Sequence, residues 1–172
     1  MSLRALLTLL GLAVVVIAGC ADSGERAQDT PLATEQAVSS PTPPEIVQVH
    51  IRELVIQAET AVTAEERGQG LSDRQSLADG AGMLFFMAEE RIPGFHMSNM
   101  LISLDFLWIS TSGTVVDLTE NVPHPEANDG EVLTGISPTE PVKYVLEVNA
   151  GVIETWDLQV GDLVTFEPDI LR

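Results

Sequence analysis

The sequence predicts a mainly β fold: a compact, mostly antiparallel sandwich or partly open barrel with two short helices. Three observations point to it. Short apolar or alternating runs recur from Ile46 to Phe166 and are separated by Gly, Pro, Asn and Ser turn signals. The two stretches of helical character, one starting at Thr63 and one near Asn149, are too short to supply βαβ crossovers, which argues against a doubly wound parallel sheet. The length, 172 residues with 45% apolar content, fits one domain with appendages.

The first appendage is N-terminal. Arg4 gives a short basic start, Leu6 to Ile17 is apolar and uncharged, and Ile17-Ala18-Gly19-Cys20 resembles the lipobox of bacterial lipoprotein signals. The apolar run is short for a spanning helix, which needs about 20 residues, but suits a secretory core followed by small residues. Residues 1–19 are therefore expected to be a signal peptide, with lipid on Cys20, the one cysteine of the chain. An uncleaved anchor helix is the alternative. Either arrangement puts the rest outside the cytoplasm, tied to a bacterial membrane, with the envelope layer left open. Residues 20–45 read as a disordered tether, with Pro31, Pro41, Pro43 and Pro44 among Ser, Thr, Asp, Glu and Gln. Residues 46–167 are the β domain and 168–172 a short tail.

Within the domain, Ile46–Ile51 and Leu54–Ala58 have strand patterning, with Val47, Val49 and Ile51 alternating against Gln48, His50 and Arg52. Thr63-Ala-Glu-Glu66 has the form of a capping box, so a short helix starts there and ends by Gly68 or Gly70. Gly82–Met87 is an almost wholly apolar strand. In Leu101–Ile109 the set Ile102, Leu104, Phe106 and Trp108 should face the core, which places Asp105 on the opposite face. An acid there must be solvent-exposed or hydrogen-bonded, since an unpaired buried carboxylate is costly. Ser110–Gly113 reads as a turn into a strand over Thr114–Thr119, giving a hairpin. Residues 120–141 form a long loop rich in prolines and acids, either functional or a solvated excursion. Val142–Val148 is a strand, Asn149 a helix cap before Ala150–Asp157, and Leu163–Phe166 the last strand.

Composition removes several function classes. Eight basic and 26 acidic side chains give a formal charge of −18, which argues against nucleic-acid binding, since that requires Lys and Arg to neutralise phosphates. No polybasic patch exists, so attachment to a membrane should rest on lipid alone. With Cys20 modified, neither a disulfide nor thiol catalysis remains. His50, His96 and His124 have no zinc spacing, and Glu126–Glu131 lacks the ordered acids of a calcium loop. No nucleophile elbow or phosphate-cradling glycine loop is present. No metal and no cofactor are expected.

What remains is a polar set inside apolar surroundings: Arg67, Arg74, Asn99, Asp105, Glu147 and Asn149. One account is internal ion pairing, with arginine forks satisfying the acids. The other is a ligand site in which Arg67, Arg74, Asn99, Asp105 and Asn149 line a cleft with Phe95, His96 and Trp108. Asp105 and Glu147 are the candidate catalytic pair if the domain hydrolyses an envelope carbohydrate. The reading favoured is non-enzymatic binding of a small molecule, glycan or envelope protein. The remaining alternative is a structural assembly module.

The same segments carry a family likeness. Ala64-x-Glu66-Arg67-x-x-Gly70-Leu71-Ser72-x-Arg74, Gly82-Met83-Leu84-Phe85, Phe95-His96-Met97-Ser98-Asn99-Met100, Leu104-Asp105, Tyr144–Gly151 and Val160-Gly161-Asp162 resemble the uncharacterised bacterial and archaeal family DUF192 over residues 47–166. The resemblance implies a small mainly β domain, commonly exported or lipid-anchored, with no established activity. The family usually reads Phe-Trp-Met-Lys-Asn-Thr where this chain has His96, Ser98 and Met100 in place of the Trp, Lys and Thr. The paired cysteines that many relatives show in the 120–141 loop are missing here.

Overall fold

Residues 45–171 are described by the computed structural model of the protein. The expected lipid site at Cys20 and the tether up to residue 44 lie outside the described residues. In chain order the elements are β1 (Ile46–Ile51), β2 (Leu54–Ala61), α1 (Ala64–Gln69), β3 (Ala81–Arg91), β4 (Phe95–His96), β5 (Leu104–Ile109) and β6 (Val115–Val122). A 3-10 turn (Pro125–Asn128), β7 (Thr134–Ile136), β8 (Val142–Asn149), α2 (Val152–Trp156) and β9 (Val164–Glu167) complete them. Seven strands form one curled sheet in the order β6-β5-β8-β3-β2-β1-β9, and β4 pairs separately with β7.

Every pairing in the large sheet is antiparallel except β2 with β3. That pair overlaps by only five residues, so the chain must return about 17 Å. Residues 62–80, a one-and-a-half-turn helix plus an extended stretch, are enough to span it. A long crossover helix is therefore unnecessary for this one parallel step. The helix carries the predicted capping box: Glu66 accepts from the Val62 and Thr63 amides at 2.8 Å each, and Thr63 accepts from the Glu66 amide at 3.1 Å.

The curl brings the two outermost strands together at one corner, which makes the sheet a half-barrel. Thr114 bridges Leu163, and the Val164 amide donates to Gly113 O at 2.7 Å. Gly113 has φ +75°, and a Cβ there would lie 2.6 Å from Val164 O. Only glycine permits the approach.

Two apolar cores result, one on each side of β3, β5 and β8. The inner one fills the half-barrel with Val49, Ile56, Leu107, Leu146 and Phe166, closed at one end by Ile153 of α2. The outer one gathers Phe85, Met97, Leu104, Phe106, Trp108 and Val145. It lies under α1, residues 71–78, residues 93–103 and β7. All six residues of β5 are buried; Leu104, Phe106 and Trp108 face a core as the alternation predicts, and Asp105, Leu107 and Ile109 face another. The 120–141 stretch is not a bare loop, because β6 runs on to Val122 and β7 pairs with β4 to roof the outer core.

Asp105 is fully buried on the inner face, and no arginine reaches it. Its Oδ1 accepts from the Asn121 amide at 2.7 Å and its Oδ2 from the Ile153 amide at 2.9 Å. The ion pairing expected from sequence is replaced by two backbone bonds, which tie β5 to the bulged edge of β6 and to the start of α2. Asp105→Ala would leave both amides without this acceptor and should cost about 2–5 kcal/mol. Urea unfolding of the variant beside the parent measures it; a loss below ~1 kcal/mol would reject this role.

Candidate functional site

Glu147 is the second acid within the strands. On β8 the side chains of Tyr144, Leu146 and Val148 enter the inner core, and Val145 enters the outer one. Period two therefore sends Glu147 outward, between Met83 of β3 and Phe106 of β5. It is 5% exposed and has no hydrogen bond or ion pair among the described residues. Burial, with nothing to offset it, pushes its carboxyl up to about 8.

The carboxyl opens onto a cleft of about 120 Å³. Its walls are the buried side chains of Leu71, Phe85, Met87 and Met100 together with half-buried Phe95, while exposed Arg91 and His96 stand at the mouth with half-buried Arg67. Besides Glu147 of β8, three segments make the cleft: residues 67–72, strand β3 from Phe85 to Arg91, and residues 93–100. Gly70 closes α1 with φ +49°, and a Cβ there would come within 3.2 Å of the Phe85 ring, so glycine lets the helix end lie on the aromatic wall.

Arg67 is anchored rather than ion-paired. One guanidinium nitrogen donates to Val62 O and, at 3.1 Å, to Phe86 O, clipping α1 to β3. Phe95 sits edge-on to Phe85, Phe106 and Trp108 with ring centres 5.1, 5.7 and 5.6 Å away. Such edge-to-face sets fix ring positions. The His96 Nδ1 accepts from the Ser98 amide at 3.3 Å.

The other residues singled out in the sequence do not join the cleft. Arg74 makes a two-pronged pair with Glu59 at 2.5 and 2.6 Å, which holds the Glu59 carboxyl below its usual value, in the adjoining groove beyond Gly70. Asn99 serves through its backbone: with φ 58° it turns the 93–103 segment, and its carbonyl accepts from the Asp73 amide at 2.9 Å. Trp108 is buried under Phe95 and donates its indole N–H to Thr119 Oγ1 at 2.9 Å. Asn149 does not cap α2, whose N-cap is Gly151; its side-chain amide donates to Leu77 O at 2.9 Å and pins the connection to β8.

The register also separates the two acids. Asp105 is paired with Val148 and Phe106 with Glu147, so Asp105 points inward and Glu147 outward with the sheet between them. A paired-carboxylate centre on Asp105 and Glu147 does not form. Sequence reasoning missed Phe85, Met87, Met100 and Arg91 as cleft residues. The apolar run at 82–87 was visible, but nothing in it showed that one face would border a cavity, and Arg91 carried no local signal.

Fold and site together define a small half-barrel domain with a single acid at the floor of an aromatic and thioether-lined cleft. The model of the family DUF192, described as uncharacterized ACR, matches residues 46–166, and the chain belongs to that family. Two solved structures resemble it. One is a candidate transcription regulator from Sinorhizobium meliloti 1021, 34% identical, with TM-score 0.60, covering 72% of this chain and 93% of that one. The other is a protein of unknown function from Novosphingobium aromaticivorans DSM 12444, 28% identical, with TM-score 0.61, covering 69% of this chain and 84% of that one. No curated protein matches.

The raised Glu147 carboxyl links stability to pH. The folded protein holds this proton up to about 8, against 4.5 for the free side chain. The folded state therefore binds more protons between those values, and the contribution, complete below pH 4.5, is lost as pH rises through 8. At full ionisation the difference is on the order of 5 kcal/mol. Glu147→Gln should match the parent in acid and melt increasingly above it from pH 5 to 8. Parallel melting curves across that range would show that Glu147 is not the uncompensated group.

Proposed function

We propose that the protein is a binding domain, held outside the cytoplasm by lipid on Cys20, that takes a small molecule into the cleft above Glu147 without transforming it. One observation carries the reading. Glu147 is a buried acid that the surrounding apolar core leaves unpartnered, at a position where an apolar side chain would stabilise the fold more. Acids held at such a cost mark sites rather than scaffold. Apolar walls with a few polar groups also describe small-molecule sites generally.

The size of the cleft favours a small molecule over a glycan or a protein surface. A cavity of about 150 Å³ holds a benzene-sized body, and this one is about 120 Å³. With Asp105 on the far side of the sheet, the second acid that glycoside hydrolysis requires is missing beside Glu147. The candidate regulator role named for the Sinorhizobium protein is not carried over as DNA contact, because a formal charge of −18 opposes it.

A small-molecule fragment screen by amide NMR on the full-length chain tests the reading. Binders should move the signals of Phe85, Arg91, Phe95 and Glu147, and Glu147→Leu should weaken those that reach the floor at least tenfold. A screen in which no compound moves those signals overturns it. The anchor is tested separately: mass spectrometry of the native protein should find diacylglycerol-type mass on Cys20, lost in Cys20→Ser. An unmodified Cys20 in the mature protein would remove the membrane from the proposal.

A further inference from the structure

The cleft holds two unspent ionisable groups, an acid and a guanidinium. Glu147 is 5% exposed and without a partner among the described residues. Arg91, at the end of β3, lines the same cleft, is exposed, and likewise has no hydrogen bond or ion pair among the described residues. The two do not pair with each other. Phe85, Phe95, Met87 and Met100 line the same cleft and offer apolar contact. Arg67 differs, since one of its nitrogens is already committed to two backbone carbonyls.

We propose that the ligand is a small two-ended zwitterion, with an amine directed at Glu147, an apolar body against the phenylalanines and methionines, and an anionic group at Arg91. The inference rests on the cleft being a small-molecule site. A simple cation would satisfy Glu147 but bring its charge beside Arg67 and Arg91. A simple anion would satisfy the arginines but leave the acid unpartnered. A zwitterion answers both ends while carrying no net charge into the cleft, where an unmatched charge beside the buried acid is costly. An ammonium inside the cleft also meets aromatic faces, which attract cations. The volume of about 120 Å³ limits the enclosed body to a few carbons.

The arrangement has a proton signature. Arg67, Arg91 and His96 are the other charged or titratable groups on the cleft. Burial keeps the Glu147 proton in place up to about pH 8 when the cleft is empty. A neighbouring ammonium favours the carboxylate, so binding at pH 7 drives that proton into solution, and affinity rises between pH 6 and 8.

The test uses the full-length chain and a ruler of ω-amino acids, 4-aminobutyrate to 6-aminohexanoate, beside pentylamine, valerate and pentanol. Calorimetry in two buffers of different ionisation heat reads affinity and proton release together, and amide NMR locates the binding. The expected result is one ω-amino acid length binding at least tenfold tighter than pentylamine or valerate, with release of close to one proton at pH 7. Glu147→Gln should abolish the proton release and the preference for an amine, and Arg91→Gln the preference for a carboxylate. Pentylamine equal to the best ω-amino acid, or ω-amino acid binding unchanged in Glu147→Gln, would overturn the zwitterion while leaving a small-molecule cleft. Absence of cleft shifts with these probes and throughout the fragment screen would overturn both.

Discussion

Burial of both faces of β5, and of the central residues of β3 and β8, is the constraint on which this structure depends. A strand with water on one face can carry a polar residue at every second position without cost. These three cannot, so each polar atom on them must find a partner or open to a cavity. The Asp105 carboxyl takes two backbone amides, the Trp108 indole donates to Thr119, and the Tyr144 hydroxyl donates to Ile170 O. Glu147 alone among them ends at a cleft instead of a partner. The two acids on neighbouring strands thus differ, one held by backbone amides and the other left at a cavity.

The cleft is a gap left between pieces of a cover. Above the outer core, the pieces are joined mainly to one another: Asp73 to Asn99, Met97 to Leu133, and α1 to β3 through Arg67. These clips are single hydrogen bonds between irregular segments, whereas the sheet beneath is held by continuous ladders. Local opening follows the weaker set of contacts. The floor of the cleft therefore rests on continuous ladders and its rim on single hydrogen bonds.

The departures from the family's Phe-Trp-Met-Lys-Asn-Thr pattern fall where they bear on the cleft. His96 stands at the mouth and Met100 forms a wall, while Ser98 contributes its carbonyl to the Ser72 hydroxyl. The phenylalanine and asparagine that this chain retains have internal roles, Phe95 as the hub of the aromatic cluster and Asn99 as a left-handed turn. A histidine ring is smaller than an indole, so this chain has a wider mouth than a tryptophan at the same position would leave.

The sequence by itself determined the longer strands, the capping box at Thr63 and the hairpin around Ser110–Gly113, because each follows from period-two patterning or turn chemistry. These are local quantities. Tertiary structure alone decided the parallel step from β2 to β3, the roofing role of 120–141, the backbone partners of Asp105 and the assembly of the cleft. Glu147 shows the reason most directly. Its apolar neighbours in sequence marked it as buried, but whether an arginine, an amide or a cavity met its carboxyl depended on where segments twenty to eighty residues away came to rest. That is set by how the sheet curls and how the cover is clipped across it, and no pattern within β8 encodes it.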